Sequence, residues 1–312
     1  MNLGTVGSSK RQKGGRWKRV LIVMALLHAG AIAVYLYFSN NDKNTTIEVT
    51  EPAIAAPLDP VPLAPVPIAP VAIATPQTQA VLSDARSFIE AGQLNEAKTT
   101  LDKLVASTPD AEAIELLGKV NMELLKSPRM MPGKEYYSIQ SGDYLQKIAK
   151  KYNTTVSLIK TINGMTSDTI RLGARLLVYS GNFSIHVSKT KNTLDLMAGE
   201  KLFKRYSVGT GKFGKTPAVE FSIVDKIVEP PWTRFSDGKQ IEYGDPENVL
   251  GTRWMAIKSD THPEITGFGI HGTWDRDSIG KQSSAGCVRM LNEDVEELFD
   301  LVPRQTTVII TE

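Results

Sequence analysis

GFGIHGTWDRDSIGKQSSAGCVRM, residues 267–290, carries both a histidine and the chain's single cysteine. His271 precedes Cys287 by sixteen positions, each inside a glycine-rich, strand-like context. A free thiol is mostly protonated at neutral pH, and an imidazole that takes its proton yields the nucleophilic thiolate. The glycine before Cys287 lets two successive backbone amides, those of Gly286 and Cys287, approach one carbonyl oxygen, as an oxyanion hole requires. A Cys–His pair alone is a weak signal, because a buried cysteine or a core histidine is the commoner occurrence. The rest of the chain decides what the pair is worth.

Outward from this stretch the pattern is β alternation. FSIHVS, TLDLMA, KLFKRYSVGTGK and VEFSIVDKIV, with WMAIK, GFGIHG and TTVIIT, predict a mostly-β domain over residues 182–312, broken by polar turns such as Lys191-Asn192. One helix is predicted near residue 292, with Asn292 as its cap and Val295, Leu298, Phe299 and Val302 facing the core.

Residues 135–180 read as strand, helix, helix, strand. Ser141-Gly142-Asp143 forms the turn, with Asp143 as cap of a helix whose apolar face holds Leu145, Ile148 and Ala149. Residues 81–127 show helical periodicity in two runs separated by Pro109, and AGQLNEAKTTLDKLV is similar to a single tetratricopeptide unit without a second copy. A helical hairpin serving as spacer or docking element is the expectation.

The N-terminal end has a different character. Lys10, Arg11, Lys13, Arg16, Lys18 and Arg19 form a basic tail over 1–19, followed by the apolar run Val20 to Phe38. Such a run spans roughly 28 Å as a helix, close to the hydrocarbon thickness of a bilayer. It is longer than the usual core of a signal peptide, and YLYFSNN offers no pair of small residues for cleavage. A transmembrane anchor over 20–38 follows, with the basic side in the cytoplasm. The expectation is a single-pass chain in the cytoplasmic (inner) membrane whose remainder lies outside the cytoplasm, which the resemblances given below would make the periplasm or cell wall space. Residues 39–80 form a linker whose proline- and alanine-rich part, 51–75, favours extended polyproline II. A formal net charge of +2 gives no reason to expect nucleic acid. His186 and His262 lack metal-ligand spacing with Cys287, so no metal and no cofactor is expected.

Two resemblances sharpen these readings. YxIxxGDxLxxIAxxY, the central Asn163 and the Leu172-Gly173 turn resemble a LysM module, a small βααβ unit. The resemblance implies binding to the glycan of peptidoglycan, with Gly142, Asp143, Tyr144 and Ile170 as candidate contacts. SVGTGK followed by TP, then PPW, YGDPENVLGTRW, GFGIHGT, SIG and SxGCVRM together resemble the L,D-transpeptidase (YkuD-type) catalytic domain over nearly all of 183–311. Ala285 stands where many members carry histidine, and Val219 where glycine is common.

By this resemblance Cys287 is the nucleophile and His271 the base, oriented by the Gly272 carbonyl, with the Gly286 and Cys287 amides as oxyanion hole. Arg289, Ser284 and Trp254 are candidate substrate contacts, Trp254 also reading as core or pocket wall. The implied reaction forms a thioester with a stem peptide and passes the acyl group to an amine in the cell wall, and it implies acylation of Cys287 by carbapenems. An L,D-carboxypeptidase or crosslink hydrolase keeps the same nucleophile with water as acceptor. A non-catalytic wall-binding protein is the third reading, against which the retention of both His271 and Cys287 speaks. Papain-like and NlpC-type peptidases place the cysteine before the histidine, the reverse of this chain.

Overall fold

The computed structural model describes residues 75–312 with the exception of Phe235. The basic tail, the expected anchor at 20–38 and most of the linker lie outside the described residues. Among the described residues no helix is long and apolar enough to cross a membrane.

The chain enters through three helices rather than a hairpin: α1 (Pro76–Glu90), α2 (Leu94–Ser107) and α3 (Ala111–Lys126). The first begins before the expected boundary because Thr75 caps it, its hydroxyl accepting the Thr78 N–H at 3.2 Å, with Pro76 at the first helical position. Asp110 caps α3 in the same way through Ala113 N–H at 2.9 Å. Leu82 and Ala85, then Leu94, Leu101 and Leu104, then Leu117, Val120 and Leu124 are buried.

β1 (Lys134–Ser138), α4 (Leu145–Lys151), α5 (Val156–Ile162) and β2 (Arg175–Tyr179) make the βααβ module. Its two strands pair antiparallel around a small core of Ile139, Leu145, Ile148, Ile159 and Val178. Asn163 ties α5 to β2, donating to the Leu177 carbonyl at 2.8 Å and accepting the Leu177 N–H at 2.9 Å. Contrary to the expectation from the sequence, Asp143 does not cap α4; Tyr144 holds the cap position without a side-chain bond. The Asp143 carboxylate is engaged instead by the Tyr137 hydroxyl at 2.6 Å, the Gln140 N–H at 2.8 Å and the Lys147 ammonium at 3.0 Å.

The β domain is built on eight strands: β3 (Phe183–Ser188), β4 (Thr193–Ala198), β5 (Lys201–Ser207), β7 (Glu220–Val228), β10 (Arg253–Lys258), β11 (Gly269–Thr273), β13 (Val288–Leu291) and β14 (Thr307–Thr311). They form one sheet in the order β13-β11-β10-β7-β14-β3-β4-β5. Short pairs lie beside it, β6 (Thr210–Gly211) with β12 (Gln282–Ser284) and β8 (Trp232–Thr233) with β9 (Gln240–Ile241). One helix, α6 (Asn292–Leu301), packs on β10, β11 and β13 with Val295, Leu298 and Leu301 buried. Its expected cap is corrected: Leu291 holds that position, and the Asn292 side chain turns to the Thr252 N–H at 3.1 Å.

The helices are not a free spacer. α3 packs against β5, where buried Asn121 donates to the Phe203 carbonyl at 2.8 Å. Glu297 of α6 gathers the Lys126 ammonium at 2.9 Å, the Lys204 ammonium and the Tyr206 hydroxyl at 3.0 Å. Buried Lys134 and half-buried Lys226 finish helices from neighbouring strands. Lys134 donates to the carbonyl of Leu124 in the last turn of α3 at 2.6 Å and to that of Arg129 beyond it at 3.0 Å, and Lys226 donates to Val302, just past α6, at 2.6 Å.

Candidate active site

The site forms at one edge of the eight-stranded sheet. β11 and β13 run parallel, with Ile270 opposite Val288 and His271 opposite Arg289. Cys287, one position before β13, therefore falls opposite Gly269, and strand alternation places it on the face that carries His271. Ile270 and Val288, on the other face, are fully buried.

His271 is 3% exposed. Its Nδ1 lies 2.6 Å from the Gly272 carbonyl oxygen, which assigns the proton to Nδ1 and leaves Nε2 as acceptor. Its ring stacks on Trp254, the residue opposite it on β10, with centroids 5.7 Å apart. Burial pushes the imidazole down to about 4; the Arg289 charge adds to this, while the carbonyls of Gly272 and Leu250 oppose it. The imidazole is thus neutral across the physiological range.

Cys287 is half-buried. Burial pushes its thiol above the ordinary value, opposed by the Gly269 backbone and the Arg289 charge. Its Sγ approaches the Gly267 carbonyl oxygen at 3.9 Å. Burial thus favours the uncharged form of both side chains.

The loop carrying Cys287 is fixed from three sides. The Ser284 hydroxyl donates to the Cys287 carbonyl at 2.7 Å and accepts the Gly286 N–H at 3.0 Å. The Gly286 amide, expected as one of the oxyanion pair, is thus hydrogen-bonded within the loop. Among the described residues the Cys287 N–H has no hydrogen-bond acceptor. On the other side, Gly209 and Arg289 exchange backbone hydrogen bonds at 2.8 Å, and Gly211 pairs with Ser284. Gly211 has no room for a side chain: a Cβ there would lie 2.9 Å from the Gly286 Cα. Gly286 itself adopts φ 146°, and a Cβ on it would meet the Phe268 ring at 2.7 Å.

Arg289 approaches Asp275 at 3.9 Å, while its buried Nε has no hydrogen-bond partner. Ser284 therefore braces the loop rather than facing open space, and Trp254 forms the wall under His271. In the βααβ module Tyr144 is 59% exposed and Gly142 is open, whereas Ile170 packs on the small core. The three donors on Asp143 make it a brace of its turn instead of a free contact.

The sequence reading missed three contributors. Thr216, 1% exposed, reaches the Gly286 carbonyl. Asn292 lies against Gly272. Asn248, 2% exposed, holds the loop before β10 through the carbonyls of Pro230 at 3.0 Å and Ile241 at 3.2 Å. The TP after SVGTGK was visible, but nothing in the string shows what its hydroxyl touches.

With this geometry in view, comparison with known proteins gives one answer. Residues 182–310 match the L,D-transpeptidase catalytic domain and residues 137–178 the LysM domain. The chain is 40% identical over 134 residues to the putative L,D-transpeptidase YqjB of Bacillus subtilis strain 168, covering 42% of this chain and 73% of that protein. To the putative L,D-transpeptidase YkuD of Bacillus licheniformis it is 32% identical over 183 residues, 56% of this chain and 98% of that one. Over 42 residues, 14% of this chain, it is 52% identical to the probable peptidoglycan endopeptidase LytE of Bacillus subtilis, covering 13% of that protein. The chain belongs to the YkuD-type L,D-transpeptidase family, with its LysM domain N-terminal to the catalytic domain.

Proposed function

We propose that this protein is a peptidoglycan L,D-transpeptidase in which Cys287 forms a thioester with a stem peptide and hands the acyl group to an amine of a second strand. The observation that supports this most is the shared face of Cys287 and His271 on neighbouring parallel strands, with the imidazole tautomer set by Gly272. Sγ attacks the carbonyl carbon of the L-centred third stem residue while its proton passes to His271 Nε2. The oxyanion is met by the Cys287 N–H. As the C–N bond breaks, His271 returns the proton to the departing D-residue's amine, and the acceptor amine then repeats the sequence in reverse.

The LysM domain holds glycan, with Tyr144 and Gly142 as its exposed candidate contacts, and so raises the local concentration of stem peptide at Cys287. The six basic residues and the apolar run at 20–38 support a single-pass anchor that keeps the catalytic domain on the wall side of the membrane. Mass spectrometry of muropeptides after incubation with the purified chain tests this reading. Crosslinked products absent with Cys287→Ala are expected; only shortened stems would make water the acceptor, and unchanged muropeptides would remove the activity.

A further inference from the structure

Thr216 is the one buried hydroxyl that connects the strap at 209–216 to the peptide unit preceding the nucleophile. Its Oγ1 accepts the Gly211 N–H at 2.7 Å and donates to the Gly286 carbonyl at 2.7 Å. The unit it holds is the Gly286–Cys287 peptide. A trans peptide is planar, with its C=O and N–H pointing in opposite directions. Fixing the Gly286 oxygen therefore also fixes the direction of the Cys287 N–H, an amide with no acceptor among the described residues.

The geometry leaves little freedom for any other arrangement. Gly286 N–H and the Cys287 carbonyl are both bound by the Ser284 hydroxyl, and the intervening peptide is itself hydrogen-bonded through the Gly286 oxygen to Thr216. Glycine at 286, in a φ region where side chains are strained, supplies no resistance of its own. Gly211 supplies the closeness, because a Cβ there would lie 2.7 Å from Thr216 N and 3.0 Å from its Oγ1.

We propose that Thr216 is a positioning residue for acyl transfer: its hydroxyl holds the Gly286–Cys287 peptide in the orientation that aims the Cys287 N–H at the oxyanion. This rests on the reading of Cys287 as the acylated nucleophile. The hydroxyl also withdraws electron density from the Gly286 oxygen, which makes the N–H of the same peptide a better donor. Removing a single oxyanion donor costs about 100- to 1000-fold in rate, and misaiming one costs some part of that.

Two reactions at the same sulfur separate aim from folding and from thiol reactivity. Meropenem acylates through a tetrahedral oxyanion: the C–S bond forms, the lactam C–N bond breaks, and the ring nitrogen takes the proton. Iodoacetamide alkylates by displacement of iodide and forms no oxyanion. Rates of both are to be followed by intact mass on the wild-type chain, Thr216→Val and Thr216→Ser, with Thr216→Ala in place of Val should that variant not fold. The expectation is a loss of about tenfold or more in acylation for Val or Ala, alkylation within twofold of wild type, and recovery of most of the acylation rate in Ser. Wild-type acylation in the variant lacking the hydroxyl, or a parallel fall in both reactions, overturns the proposal. A wild-type chain that is alkylated but never acylated overturns the function reading itself, and the proposal with it.

Discussion

Asn292 Oδ1 lies against the Cα of Gly272, so close that a Cβ at 272 would sit 2.2 Å from it, while the same oxygen accepts the Thr252 N–H at 3.1 Å. The first residue of α6 thereby fixes the strand that carries His271. Gly272→Ala is expected to cost about 1–3 kcal/mol by overpacking and to slow acylation by moving His271. Asn292→Ala should recover part of that loss in the double variant, measured by denaturant midpoint, although each change alone destabilises. Strictly additive losses would contradict the contact.

His271 supplies a pH signature in two measurements. Its folded value is about 4 against 6.5 for the free side chain. The unfolded chain therefore binds more protons between those values, and stability rises with pH there. This contribution is present in full above 6.5 and is lost as pH falls through about 4, amounting to ~3 kcal/mol. His271→Gln should flatten the dependence. Acylation of Cys287 should show an acid limb near 4 rather than near 6.5, since protonated imidazole accepts no proton.

Gly286→Ala brings a methyl against the Phe268 ring at 2.7 Å in a backbone region that resists side chains. Acylation should fall at least tenfold, from a peptide unit pushed out of line. Phe268→Ala should relieve the clash but not the strain, leaving the double variant below wild type; full recovery would show that only the ring matters.

Glu297 binds the helical segment to the catalytic domain through Lys126, Lys204 and the Tyr206 hydroxyl. Its side chain is 19% exposed, so Glu297→Ala leaves partly buried partners unsatisfied. A loss of about 1–3 kcal/mol is expected in thermal or denaturant unfolding. Unfolding with no change in midpoint would show that the helices contribute nothing to the catalytic domain.

The strands and the LysM elements were legible because alternation and turn residues report local burial. FSIHVS and TLDLMA became β3 and β4 at the expected residues. The caps were not legible. Asp143 and Asn292 have the right chemistry at the right place, yet long-range partners, the Tyr137 hydroxyl and the Thr252 amide, take their oxygens. α1 was clipped because Thr75 and Pro76 sit at the end of a proline-rich run whose composition hides a helix start. The role of Thr216 depends on Gly211 meeting Gly286 across seventy-odd residues, which no local pattern encodes.

The central claim is that Cys287 is the nucleophile, and its being the chain's one cysteine makes the test direct. Intact mass is to be measured for the wild type and Cys287→Ala after incubation with meropenem, beside crosslinking activity on muropeptides. The account predicts one adduct on the wild type, none on the variant, and loss of activity by several orders of magnitude in the variant. An adduct on both proteins, or a variant that crosslinks as the wild type does, would contradict it.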